Sequence, residues 1–215
     1  MIPFFFLVQL QGQLHIGVSG EVSSNQALFS SDGVVAGDGK KRSDRLAGFS
    51  ISPFIGLPIS KNDFIYIESS YVQKGYRFKL HNYFDQKSAI SKNRFHYLSL
   101  NPIYSHNLNL KKRSKRKPYQ GLYTLSGLFL GYKLHSKWKP AGGLIEEADP
   151  SFNSIDFGFI FGTRYIKHQS KWRACYVDIR YYHGLKNVAD NPRTEAYHRS
   201  LALGIGYLFV TRKKR

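Results

Sequence analysis

Eight charged residues fall where a two-residue period sends them to one side of an extended chain: Glu21, Glu68, Lys74, Lys133, Asp156, Arg164, Asp178 and Arg180. Asp178 and Arg180 stand two apart in Tyr176-Val-Asp-Ile-Arg-Tyr-Tyr-His-Gly-Leu185, so both leave their strand on the same face. Asp156 and Arg164 share that face of the preceding stretch, Ser154-Ile-Asp-Phe-Gly-Phe-Ile-Phe-Gly-Thr-Arg164. Acids and bases sharing a face fit two kinds of chemistry. One is a polar conduit that carries ions or protons. The other is a set of buried ion pairs, since an unpaired charge in a low-dielectric interior costs several kcal/mol. A narrow interior filled with side chains favours the pairs.

Other chemistries find less support. His183 and His198 lie near the same end of two successive strand patterns and could serve as a base, but no nucleophile motif accompanies them. His15, His96, His106 and His168 lack metal-ligand spacing. Ala36-Gly-Asp-Gly-Lys-Lys41 lacks the spaced glycines and the Lys-Ser/Thr ending of a phosphate-binding loop. The single Cys175 excludes an internal disulfide and falls on an apolar strand face. The expectation is a protein without catalysis, cofactor or metal.

The elements that must position the charges are strands. Ile155, Phe157, Phe159, Phe161 and Tyr165 alternate with Asp156, Gly158, Ile160, Gly162 and Arg164, and the pattern recurs seven times more. The outward series are Ile16 and Val18; Ala47, Phe49, Ile51, Pro53, Ile55 and Leu57; Ile65, Ile67 and Tyr71; Leu98, Leu100, Pro102 and Tyr104. They continue with Leu122, Leu128, Leu130, Tyr132 and Leu134, then Val177, Ile179 and Tyr181, and end with Leu201, Leu203, Ile205, Tyr207 and Phe209. The opposite faces carry glycine, serine and the charges, which is inside-out for a soluble protein. Pro53 and Pro102 each remove a ladder donor and predict a bulge or local irregularity. Long connections follow the first, third, fifth and seventh strands; shorter ones follow the second, fourth and sixth. This asymmetry predicts an all-β, eight-stranded antiparallel up-and-down transmembrane β-barrel of the Gram-negative outer membrane, with long loops outside.

The chain of 215 residues holds 15 Tyr and 16 Phe, enough for interfacial girdles. Its net charge of +18 is spread over connections without a nucleic-acid module, and the dense run Lys111-Lys-Arg-Ser-Lys-Arg-Lys117 reads as a solvated turn. Residues 1–13 have the apolar core and small-residue end of a signal segment without its basic start. The barrel spans 14–210, and 211–215 form a basic tail. A soluble lipocalin-like carrier has the same strand count, but a solvated face would not carry Gly48, Gly56, Gly158, Gly162, Gly204 and Gly206. A small-solute porin and, with less support, an outer-membrane lipid-modifying enzyme would share the barrel architecture. The expected partners are outer-membrane lipid, lipopolysaccharide and proteins met through the loops or periplasmic turns; nucleic acid is not among them.

Tyr71-Val-Gln-Lys-Gly-Tyr76, Tyr97-Leu-Ser-Leu100, Ile155-Asp-Phe-Gly158, Asp178-Ile-Arg-Tyr-Tyr-His-Gly-Leu185 and Leu203-Gly-Ile-Gly-Tyr-Leu-Phe209, taken in order, resemble the PorT-like outer-membrane β-barrel proteins of the Bacteroidetes. The resemblance implies a porin-like barrel and brings no catalytic residues. Here Phe209 is followed by Val-Thr-Arg-Lys-Lys-Arg215, whereas such barrels commonly end on an aromatic.

Overall fold

The computed structural model describes residues 14–31, 40–60, 62–81, 88–108, 120–139, 146–147, 152–170, 172–189 and 194–211. The expected signal segment 1–13, the basic run 111–117 and the expected tail from 212 onward lie outside the described residues. Eight long strands run antiparallel: β1 (His15–Ser31), β2 (Asp44–Pro58), β3 (Asp63–His81), β4 (Ser88–Asn107), β5 (Gly121–Lys139), β6 (Ile155–His168), β7 (Arg173–Gly184) and β8 (Thr194–Val210). Each pairs with its chain neighbours, and β8 returns to pair with β1 from His15 opposite Val210 to Ser31 opposite Thr194. The sheet is closed, so no ladder edge faces lipid, where an open edge would be left unsatisfied. Two short segments, Lys40–Arg42 beside β1 and Glu146–Glu147 beside β5, extend the hairpins at one end.

The two-residue period explains the closure. Along β6 burial alternates almost residue by residue, with Asp156, Ile160, Arg164 and Ile166 fully buried and Ile155, Phe157, Phe159 and Phe161 exposed. Every strand contributes exposed aliphatic or aromatic residues to one continuous outer belt; Ile205 is 66% and Val22 64% exposed. A water-facing surface does not carry an apolar patch of that extent, but the outside of a membrane barrel must. The interior is filled. At the end that carries the short turns, the start of β1 and the end of β8, the residues Phe54, Phe64, Tyr66, Tyr123, Ile166, Tyr176, Leu208 and Val210 form an apolar floor. At the other end Tyr76, Phe95 and Tyr97 pack with Phe152 into a smaller cap.

Two glycines show how the floor is fitted. A Cβ on Gly206 would collide with the Tyr176 ring, and one on Gly17 with the Phe54 ring. The small residue on one strand thus makes room for the large one on its neighbour, which accounts for glycine on the inward face.

Three features differ from the expectation in whole or in part. Pro53 and Pro102 each interrupt one ladder, as expected, with Ser52 and Pro53 unpaired with β3 and Asn101 and Pro102 unpaired with β5, but the register is the same on either side. The register shifts lie elsewhere, between Arg45 and Phe49 and between His96 and Tyr97. The strands also continue past the apolar pattern into three of the expected long loops, so that β1 reaches Ser31, β3 reaches His81 and β5 reaches Lys139. The ladder goes on where the outer face turns polar, and a reading based on apolar alternation stops there. The connection between β6 and β7, expected at residues 167–171, lies at 169–172, because β6 runs on to His168.

Leu203 and Phe159 sit in the belt, 51% and 40% exposed. Leu203→Arg and Phe159→Arg should each cost about 2–4 kcal/mol of folding free energy in lipid. Heat-modifiable gel migration after refolding into vesicles measures it, and wild-type folding yields in both would overturn the assignment of faces.

Candidate functional site

Inside the barrel, strands far apart in sequence deliver charges to one point. Arg164 on β6 and Asp178 on β7 are direct cross-strand partners. Asp178 Oδ2 accepts from Arg164 Nε at 3.2 Å and Nη2 at 3.0 Å, and from Arg180 Nη2 at 2.7 Å. Glu68 reaches across the lumen from β3. Its Oε2 accepts from Arg180 Nη1 at 2.6 Å, and its Oε1 accepts from Arg180 Nη2 at 3.0 Å and Arg164 Nη2 at 3.2 Å. Glu21 on β1 completes the cluster, with Oε1 3.1 Å from Arg180 Nη1. The other oxygen of Glu21 accepts from Tyr182 Oη at 2.9 Å and Ser50 Oγ at 3.2 Å. The Arg180–Glu68 contact is bidentate, the geometry in which a guanidinium binds a carboxylate most strongly.

The surroundings fix these side chains. The Arg164 guanidinium carbon lies 3.9 Å from the centre of the Tyr176 ring and 4.9 Å from that of Tyr66, so aromatic faces support the cation from the floor side. Gly204 leaves the space that the Asp178 carboxylate occupies, where a Cβ would collide. Both arginines, Glu68 and Asp178 are at most 2% exposed.

Asp156 belongs to a second group. It accepts from Lys74 Nζ at 3.1 Å and lies 3.0 Å from His198 Nδ1, while Lys74 Nζ rests 4.3 Å from the centre of the Phe129 ring. Of the eight charged residues, Glu21, Glu68, Arg164, Asp178 and Arg180 are thus brought together, and Lys74 and Asp156 form a separate pair. Lys133 stands in neither group and donates to the Phe152 carbonyl. His183 and His198 do not share a site: His198 is buried on Asp156, and His183 sits beside Tyr181 of the outer face, its Nδ1 3.3 Å from Tyr181 Oη. Their strands place them on opposite sides of the wall, which removes the joint base. Among the described residues no group of three or more His, Cys, Asp and Glu is placed to hold a metal ion.

Sequence reading overlooks His198, Tyr176 and Tyr182 as partners of the charges. For His198 the signal is present. It has the parity of Ala202 and Gly204, but the apolar pattern of the last strand begins only at Leu201, seven residues after the strand itself starts at Thr194. Between the two groups Ser50, Ser70, Ser99, Asn101 and Ser200 line a polar cavity of about 20 Å³, enough for roughly one water. A chain of serine and asparagine hydrogen bonds crosses it, with Asn101 Nδ2 donating to Ser70 Oγ at 2.9 Å and Ser52 Oγ to the same oxygen at 2.7 Å. The arrangement ties strands together and leaves no space for a substrate.

Removing Arg180 alone would strand buried carboxylates, which typically costs about 3–5 kcal/mol. A double-mutant cycle in detergent, read by urea unfolding, should give a coupling of about 1 kcal/mol or more for Arg180→Met with Glu68→Gln, and the same for Arg180→Met with Asp178→Asn. The cycle of Arg180→Met with Asp156→Asn should stay below about 0.5 kcal/mol, since the two residues do not touch. Equal coupling in all three cycles would contradict the division into two groups.

Residues 9–190 match the family described as outer membrane protein beta-barrel domain. Among solved structures, the chain is similar to Neisserial surface protein A, with 14% identity, a TM-score of 0.44 and coverage of 90% of this chain and 97% of that one. It is also similar to OprG from Pseudomonas aeruginosa, with 9% identity, a TM-score of 0.46 and coverage of 94% and 97%. For the attachment invasion locus protein Ail of Yersinia pestis the values are 16%, 0.40, and 90% and 99%. These likenesses are of architecture, and no functional conclusion rests on them. No curated protein matches the chain. The family match covers most of the barrel, and the closed sheet with its apolar outer belt is what such a domain requires: the chain belongs to the outer membrane protein beta-barrel domain family and is a protein of the Gram-negative outer membrane.

Proposed function

We propose that this is a PorT-like barrel with a sealed lumen, which works through the surfaces it presents on either side of the membrane and not by passing solutes. The observation that carries this reading is the cross-lumen cluster of Glu21, Glu68, Arg164, Asp178 and Arg180, lying between the aromatic floor and the Phe95–Phe152 cap. A solute path would need these groups to part, and each charge would then lose its partners in a low-dielectric interior. An eight-stranded interior is just wide enough for its own side chains.

Protein partners are then met by the connections beyond β1, β3, β5 and β7 or by the periplasmic turns. The turn Ser60–Asp63 is well braced for such contact, because Asp63 Oδ1 accepts from Tyr104 Oη at 2.7 Å and lies 2.7 Å from His106 Nδ1. The small cavity has room for about one water and gives a porin reading no support. The sealed reading is tested in planar bilayers. Homogeneous refolded protein should give no stable steps on the order of a nanosiemens, because the filled interior has no continuous water path. Steady steps that survive single-channel dilution would replace it with the porin reading.

A further inference from the structure

On the outer wall, immediately beyond the apolar belt, β4 and β5 oppose three pairs of basic side chains: Lys92 with Lys139, Arg94 with Lys137, and His96 with His135. Lys92, Arg94, Lys137 and Lys139 are exposed, and none of them has an ion pair among the described residues. Directly opposed residues of a sheet stand about 4.5–5.5 Å apart at Cβ, and like charges there destabilise the pairing. Asp44 is engaged with Arg77, 3.7 Å away on the next strand, and the Glu147 backbone stands in register with Lys137.

The ladder of cations exists because of a bulge. The register steps from His96 opposite His135 to Tyr97 opposite Lys133, which leaves Leu134 as the extra residue. Before this step the even-numbered residues of β5 face outward; beyond it the odd-numbered ones do. Without the step, Lys137 and Lys139 would point into the barrel, and Ser136 and Trp138 would face out. With it, Ser136 is buried, the Trp138 indole donates inward to Ser91 Oγ at 2.9 Å, and both lysines meet Arg94 and Lys92 outside. Bulges re-aim side chains in this way next to functional sites.

The level is that of the boundary between acyl chains and headgroups. Leu98, Leu100, Tyr132 and Leu134 are exposed on the membrane side of the ladder. The histidine pair marks the border, its rings stacked at 4.1 Å and His96 Nδ1 2.5 Å from Tyr71 Oη. The end that carries the ladder is the one opposite the start of β1 and the end of β8, which is the outer side of such a barrel.

We propose that Lys92, Arg94, Lys137 and Lys139 bind the phosphate groups of an outer-leaflet glycolipid of the lipopolysaccharide type, whose acyl chains lie along Leu98, Leu100, Tyr132 and Leu134. A phosphate set between opposed cations removes their repulsion, the Arg94 guanidinium supplies a fork matched to phosphate oxygens, and the lysines act as point charges. The site belongs to the outer wall, so it holds whether or not the lumen conducts.

The test uses the full chain refolded in detergent, with retained lipid read by native mass spectrometry. Three probes are offered: bis-phosphorylated lipid A, the same lipid with its phosphates removed, and inorganic phosphate. Wild-type protein should retain the phosphorylated lipid, and Arg94→Gln with Lys137→Gln should weaken retention by about tenfold or more. Lys167→Gln with Arg173→Gln, which removes two exposed cations at the opposite rim, should leave it unchanged. Heat-modifiable migration checks folding, and Lys92→Gln with Lys139→Gln serves if the first pair fails to fold. Equal loss in ladder and control variants would reduce the effect to net charge. Equal retention of the dephosphorylated lipid would reduce it to apolar contact, and capture of inorganic phosphate without lipid would reassign the ligand; each of these outcomes overturns the proposal.

Discussion

The guanidinium–carboxylate cluster at mid-lumen is the constraint to which the rest of the barrel is fitted. A closed eight-stranded sheet has no second layer to pack against, so its inward side chains must fill the space by themselves. Five of them make this charged cluster, and each charge is tolerable only where its partners are already in place. Arg180 touches residues from β1, β3 and β7, and Arg164 joins β6 to the same set. The cluster therefore fastens strands that the ladder does not pair, and it couples closure of the sheet to burial of the charges.

The neighbouring layers follow from that requirement. The floor provides aromatic faces for Arg164 and excludes water on the periplasmic side. Gly17, Gly204 and Gly206 stand where a larger residue would collide with Phe54, Asp178 or Tyr176, so large and small residues alternate across neighbouring strands. On the loop side, Lys74 and Asp156 with His198 repeat the principle with fewer charges, under the Tyr76, Phe95 and Tyr97 cap. Serine and asparagine side chains fill the level between the two charged groups and bond mostly to one another.

Much of this was legible in the sequence, and the limit has a physical cause. The period of two assigns each residue to a face, because parity along a strand is a local property. Ile155, Asp156 and the residues after them could be sorted without knowing what they touch. Which inward charges meet across the lumen depends on the stagger of strands that are not neighbours. Asp156 has the same parity as Asp178, yet it sits far enough toward the loop side to meet Lys74 and His198 and not Arg180. Lys133 likewise has the right parity, but its height brings it to the Phe152 carbonyl. The bulges were only partly visible. The prolines interrupt their ladders but leave the register unchanged, Gly48 between Arg45 and Phe49 is the residue type that marks one shift, and Leu134 carries nothing that marks the other.

Those two bulges have a common effect on where the membrane boundary falls. In β2 the shift between Arg45 and Phe49 exchanges the faces, so Asp44 comes to lie opposite Arg77 on the outer wall. In β5 the shift at Leu134 does the same for Lys137 and Lys139. Each strand shows apolar residues outward up to its bulge, Phe49 in one and Leu134 in the other, and charged residues outward beyond it. A bulge disrupts the ladder locally, and a disrupted ladder inside hydrocarbon would leave backbone groups without partners. Placed at headgroup height, the same irregularity can be met by water and polar headgroups. The apolar belt therefore ends where the frame changes, and the change of frame lets uninterrupted strands carry a lipid-facing wall and a charged rim.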